Sequence, residues 1–296
     1  MIGDYPEISF RTRDAGGDVR NSPLEAREGA FRRARNITLL VHGFNTDITR
    51  AREAYAAMAK NLPAEERETI FHLFWPGDVT ESRLTSGLRY AEVPNRARDC
   101  ADMMAEFMME EFEARADHDP STTEVRIIAH SLGCRLTLEL CQRLRFAGGY
   151  KVKEVVLMAA AVPRYMAANS GRFNLGKTGG KEGTLVLHSK KDKILFAFFK
   201  TGQRYESEYF EDIDNGRAAL GRFGLQGLGI KKGSINEEKT EHDHGDYWTS
   251  PSVSQSITNQ FKGPVRNEPR KVGKGRNVSN SHSVQGRMRP QGRRLG

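Results

Sequence analysis

The chain has 296 residues, 38% of them hydrophobic and 28% charged, with 46 Lys and Arg against 38 Asp and Glu. That length accommodates one large α/β domain or two small ones, and its longest apolar run, Val155 to Val162, falls far short of the ~20 residues of a membrane-spanning helix. Three cysteines without a CxxC spacing exclude a disulfide framework or a zinc–thiolate site and suit a reducing compartment.

The opening stretch MIGDYPEISFRTRD carries early acids and no apolar core, so no secretory leader is expected and the cytoplasm is the expected setting. Residues 1–35 read as an N-terminal extension. From Asn36 short β-branched runs alternate with longer helical patterns, which predicts an α/β domain over 36–261: a mostly parallel central sheet flanked by helices. The first strand, Ile37–Val41, runs into His42-Gly43-Phe44-Asn45. A glycine there lets the chain approach a reacting carbonyl, and Phe44 N–H is a candidate oxyanion donor. An ordinary strand-to-helix turn with a structural histidine is the plain alternative. The next helix is capped by Thr46 or Asp47 and places Ile48, Ala51, Tyr55, Met58 and Leu62 on one face. Strand Thr69–Phe74 leads to Trp75-Pro76. His42 and Trp75 are candidate pocket residues, although a buried structural tryptophan explains Trp75 equally well. A long helix starts near Pro94 with Ala97, Cys100, Ala101, Met104, Phe107 and Met108 as its apolar stripe.

The string VRIIAHSLGCRL carries the strongest signal. A buried strand, Val125–Ala129, ends in Ala129-His130-Ser131-Leu132-Gly133 and passes straight into a helix. This is the G-x-S-x-G nucleophile elbow with alanine in its first position, where a small residue is still present. The helix N-terminus behind Ser131 supplies N–H groups and partial positive charge, with Leu132 N–H as the second oxyanion donor. The helix carries Leu136, Leu140, Cys141 and Leu144 inward and stops at Gly148-Gly149. Further strands are expected at Glu154–Ala160 and Thr184–His188.

The order Ser, acid, His requires a carboxylate after a later strand. Asp192, in HSKKDKIL, follows the 184–188 strand and is the first choice, with Asp212 and Asp214 as reserves. A surface Lys/Asp turn is the competing reading. Ile194 to Phe199, including the candidate pocket residue Phe196, fits core packing or an acyl pocket. Residues 196–241 read as a lid or insert. Setting aside the histidines in strands, in the two motifs, too early (His118) or in the tail (His282) leaves His242 and His244 in EHDHGDYWTSPS; His244, followed by Gly245 and the aromatic residues Tyr247 and Trp248, is the candidate base. Trp248 is a candidate site wall. His242, His244 and Asp246 also form an HxHxD pattern that could begin a metal site. Ser131 already accounts for His244, so neither metal nor cofactor is expected. The last helix starts at Ser250-Pro251 with Val253, Ile257 and Phe261 on one face.

From Lys262 onward there are ten Lys and Arg against one acid, which leaves 36 bases and 37 acids in the remainder. Residues 262–296 have no aromatic residue and few apolar ones, so a disordered basic tail is expected, with weak, salt-sensitive association with polyanions.

The motifs His42–Asn45, Phe74–Gly77 and Ala129–Gly133 resemble those of the α/β-hydrolase superfamily, in a poorly characterised, mainly bacterial branch with HG(F/Y)N, FWPG-like and AHS(L/M)G strings. The resemblance runs from about Asn36 to Phe261. It implies a cofactor-free serine hydrolase acting on an ester, thioester or amide, with nucleophile at Ser131, acid at Asp192 and base at His244. The alternative is a non-catalytic binding or scaffold protein on a hydrolase fold, gripping a polyanion through its tail.

Overall fold

The computed structural model describes residues 5–13, 18–27, 29–77, 93–115, 123–147, 149–179, 183–203, 218–230 and 235–262. His118, Asp212, Asp214, His282 and the basic segment beyond Lys262 lie outside them. The described strands are β1 (Glu7–Arg11), β2 (Val19–Glu25), β3 (Asn36–Val41), β4 (Ile70–Phe74), β5 (Thr123–His130), β6 (Tyr150–Met158), β7 (Thr184–His188) and β8 (Asn236–Lys239). They form one sheet in the order β2-β1-β4-β3-β5-β6-β7-β8, parallel throughout except for the β1–β2 hairpin.

The central strands read as continuous apolar runs because both sheet faces are covered. Leu39, Leu40 and Val41 of β3 and Ile127, Ile128 and Ala129 of β5 are fully buried. Each large aliphatic side chain among them contributes roughly 1.5–3 kcal/mol by leaving water. The longer helices are α1 (Ile48–Asn61), α2 (Val93–Glu113), α3 (Gly133–Leu144), α4 (Lys193–Gln203) and α5 (Pro251–Lys262). The cap of α1 is Asp47, whose carboxylate accepts from Arg50 N–H at 2.9 Å. Helices α2 and α3 pack together, as do α1 and α5. No helix of the described residues is long and apolar enough to cross a membrane.

The sheet extends beyond the predicted strands at both edges. Residues 7–25 are not an appendage. Ile8 and Phe10 are fully buried where β1 joins β4. Strand β1 is only five residues long, and β2 carries Pro23, tolerated because β2 is an edge strand. At the other edge β8 reads Asn-Glu-Glu-Lys with all four residues exposed. It shows no apolar alternation, and its charges protect an open edge from pairing with another chain. Thus part of the predicted 196–241 insert completes the sheet, and another part, α4, is regular helix.

The glycine-rich string near Leu220 has a packing role. A β-carbon on Gly221 would lie 2.1 Å from Ala159 C and Ala160 N, just past the end of β6. With only hydrogen there, Gly221 O accepts from Ser189 N–H at 3.0 Å, and the Arg222 guanidinium reaches Lys190 O at 3.2 Å. The turn at 218–224 therefore props the loop that delivers Asp192.

Candidate active site

Among the described residues, Ser131, Asp192 and His244 come together beyond the C-terminal ends of β5, β7 and β8. Ser131 follows β5 directly with φ of 52°, the left-handed region that a non-glycine residue occupies only under strain. The strain is held by backbone bonds: Ser131 N–H donates to Met158 O at 2.9 Å, and Ala161 N–H donates to Ser131 O at 3.0 Å. The motif glycine after it is equally constrained. A β-carbon on Gly133 would sit 2.3 Å from His42 O, so only glycine lets α3 start against the end of β3. The contact is reciprocal, since a β-carbon on Gly43 would meet Ser131 Cβ at 2.8 Å. Elbow and HG turn therefore interlock through Gly43 and Gly133.

Asp192 sits at the start of α4 as its cap, with Oδ1 accepting from Leu195 N–H at 2.8 Å. Its other oxygen, Oδ2, accepts from His244 Nδ1 at 2.7 Å, and His244 Nε2 stands 2.9 Å from Ser131 Oγ. The sequence left a surface Lys/Asp turn open as a competing reading for this carboxylate. Exposure separates the two: the Asp192 side chain is 0% exposed, whereas that of Lys193 is 83% exposed and pairs with Asp243. Because a carboxylate accepts, His244 carries its proton on Nδ1, and its Nε2 lone pair faces the serine hydroxyl.

The loop bearing His244 is anchored by buried aromatic residues. Tyr247 is fully buried and shares a hydrogen bond with Thr240 Oγ1 at 3.1 Å, and Trp248 packs edge-on against Tyr55. The three members of the HxHxD pattern turn to different partners. His242 Nε2 lies 2.9 Å from Ser250 Oγ, His244 faces Ser131 and Asp192, and Asp246 Oδ2 accepts from Asp243 N–H at 2.9 Å.

Three of the four candidate pocket residues are placed differently from expectation. His42 and Trp75 are fully buried and bound to one another. The Trp75 indole donates to His42 O at 2.8 Å, Trp75 N–H donates to His42 Nε2 at 3.3 Å, and the rings stack 5.7 Å apart. His42 Nδ1 in turn donates to Gly43 O at 2.9 Å. They brace the HG turn from below. The bracing was not legible because β3 and β4 are separate in sequence and adjacent only in the sheet. Phe196 points outward, 59% exposed, with the Arg222 guanidinium 4.4 Å from its ring centre.

Burial holds the imidazoles of His42 and His130 down to about 3, with a nearby histidine opposing the charge on His130 further. Both fold as neutral rings. In the unfolded chain each takes up a proton near pH 6.5, so the unfolded state binds more protons between about 3 and 6.5. The resulting stability is complete above pH 6.5 and is lost as the pH falls through that window. These two groups predict a loss of about 2 to 3 kcal/mol per pH unit between about pH 6 and 4. Urea unfolding at a series of pH values measures it, and a flat profile over that range would contradict the neutral burial of both rings.

The sequence profile of a family described as alpha/beta hydrolase of unknown function (DUF900) matches residues 27–259. No curated protein matches the chain. Among solved structures it is similar to the lin2722 gene product from Listeria innocua, at 10% identity over 77% of this chain and 94% of that one, with a TM-score of 0.42. It is similar to Arabidopsis thaliana SOBER1 at 14% identity, over 77% and 98% of the two chains, TM-score 0.38. An esterase/lipase from an uncultured bacterium gives 10% identity over 88% and 85%, also with a TM-score of 0.38.

Proposed function

The chain belongs to this alpha/beta hydrolase family, and we propose that it is a serine hydrolase that opens an ester, thioester or amide through an acyl-enzyme on Ser131. The observation that carries the proposal is the unbroken hydrogen-bonded chain from Ser131 Oγ through His244 to a fully buried Asp192. In this reading His244 Nε2 takes the hydroxyl proton as Oγ attacks the carbonyl carbon. Phe44 and Leu132 N–H groups hold the oxyanion. The intermediate collapses as His244 returns the proton to the leaving group, and water repeats the sequence to release the acid. Asp192 keeps the proton on Nδ1 and stabilises the imidazolium formed in each half. No step draws on a metal or cofactor.

Reaction with a fluorophosphonate probe, with the labelled residue mapped, separates this reading from a non-catalytic scaffold on the same fold. A screen over esters of graded acyl length, thioesters and amides then defines the substrate class. Asp192→Asn tests the acid. The asparagine amide oxygen still accepts from Leu195 N–H, so the cap and the fold survive. Its amide nitrogen then faces His244 Nδ1 and forces the proton onto Nε2, where it blocks the serine. The expected loss in kcat is about 10⁴-fold with Tm close to that of the wild type, and a variant with wild-type kcat would move the acid elsewhere. For the basic segment beyond Lys262 the proposal is a weak, salt-dependent hold on polyanions. A cytoplasmic setting is proposed on the three free, buried cysteines.

A further inference from the structure

His130 stands immediately before Ser131 at the end of β5, and the hydrolytic reading above, on which this inference rests, gives it no role. Its ring is wedged into the loop that bears the base, with its centre 4.7 Å from that of His244, 6.1 Å from Tyr247 and 5.9 Å from Trp248. On the other side its Nδ1 lies 3.1 Å from where a β-carbon on Gly43 would be. Its Nε2 lies 2.7 Å from the carbonyl oxygen of His244. A carbonyl only accepts, so Nε2 bears the hydrogen, and a neutral imidazole leaves Nδ1 with the lone pair. Burial keeps the ring neutral across the working range of pH.

Each of the four polar groups of His244 has a partner. Ring Nδ1 meets Asp192 and ring Nε2 meets Ser131, while the backbone N–H donates to Asp243 Oδ1 at 2.9 Å and the carbonyl accepts from His130. Two of these partners, His130 and Ser131, are consecutive residues. The strand end that aims the nucleophile therefore also grips the main chain of the base. This matters because His244 lies outside regular structure and is followed by Gly245, around which a side chain would meet nothing within 4 Å. Contacts to the ring alone leave the loop free to shift while χ1 and χ2 compensate, and the bond to the carbonyl removes that freedom.

We infer that His130 is a positioning residue: by holding the carbonyl of His244 it sets the imidazole at hydrogen-bond distance from Ser131 Oγ. It touches neither substrate nor transferred proton in this assignment, so its loss reduces how often the base is in place rather than how tightly substrate binds.

Three variants of the full chain test it. His130→Leu fills the volume without a donor. His130→Gln places an amide N–H near the position of Nε2. His130→Asn is polar but too short to reach the carbonyl. The readouts are the rate constant for fluorophosphonate labelling of Ser131, kcat and KM on 4-nitrophenyl acetate, Tm, and the strongly deshielded Nδ1–H proton resonance of the His244–Asp192 bond. The leucine variant is expected to lose about 10²-fold in labelling rate and in kcat, as a misplaced base would, with KM little changed and the resonance weakened. Glutamine is expected to recover most of that loss, and asparagine not to. If the leucine variant does not fold, the glutamine–asparagine pair decides alone. A leucine variant that labels at the wild-type rate, or glutamine and asparagine variants of equal activity, would overturn the assignment. Neither result touches the hydrolytic reading, which instead falls if Ser131→Ala still labels.

Discussion

Replacing Ser131 with alanine is expected to abolish fluorophosphonate labelling and to lower hydrolysis of a responsive ester by about 10⁴- to 10⁶-fold, while the protein unfolds at nearly the wild-type temperature. The activity loss follows from removing the attacking atom; what remains is binding and the backbone donors at Phe44 and Leu132. The preserved fold follows from what the substitution leaves alone. The bonds from Ser131 N–H to Met158 O and from Ala161 N–H to Ser131 O are main-chain bonds that alanine keeps. Alanine also retains the β-carbon packed against Gly43 and tolerates φ of 52° no better and no worse than serine. The one side-chain bond lost is to His244 Nε2. A companion variant, Ser131→Gly, relieves the left-handed backbone and is expected to be more stable than alanine by about 1 kcal/mol while equally inactive. Labelling that survives in Ser131→Ala would place the nucleophile on another serine.

Where the backbone pattern and the chemistry coincide, the sequence was readable. The apolar runs of β3, β5 and β7 are buried on both faces, and each ends in a residue type that its position in an α/β sheet makes meaningful: His42, Ser131 and, after a short loop, Asp192. The elbow announces itself through Gly133, whose requirement is purely steric. Features that depend on proximity across strands were not legible. Nothing in the string around Trp75 indicates that its indole is committed to His42 O, because β3 and β4 are separated by α1. Nor does the motif around His130 indicate that its ring reaches a carbonyl over 100 residues away. The edge strands escaped for a different reason. Strand β8 consists of Asn236, Glu237, Glu238 and Lys239, four exposed polar residues at the edge of the sheet that leave no alternation to read.

The proposed mechanism gives two histidines two residues apart different roles, and the sharpest test of the base uses both. His244→Ala is expected to reduce turnover by about 10⁴- to 10⁶-fold, since an unassisted serine hydroxyl is a poor nucleophile at neutral pH. Combining it with Ser131→Ala should cost little more than either change alone, because groups that act as one unit fail together. His242→Ala is expected to change turnover little and to act on stability instead. The His242 ring leans edge-on against Tyr247 with centres 5.4 Å apart, and its Nε2 bonds to Ser250 Oγ, which itself accepts from Val253 N–H at 3.3 Å in the first turn of α5. Loss of that ring loosens the cap of α5, at a cost of about 1 kcal/mol, read as a lower Tm. The pair of variants thus separates a base from a brace by opposite signatures, one in kcat and the other in unfolding. Equal losses of turnover from both, together with wild-type activity that chelation removes and added zinc restores, would show that the HxHxD spacing binds a metal. In that case the bond between His244 and Ser131 would no longer be the origin of the chemistry.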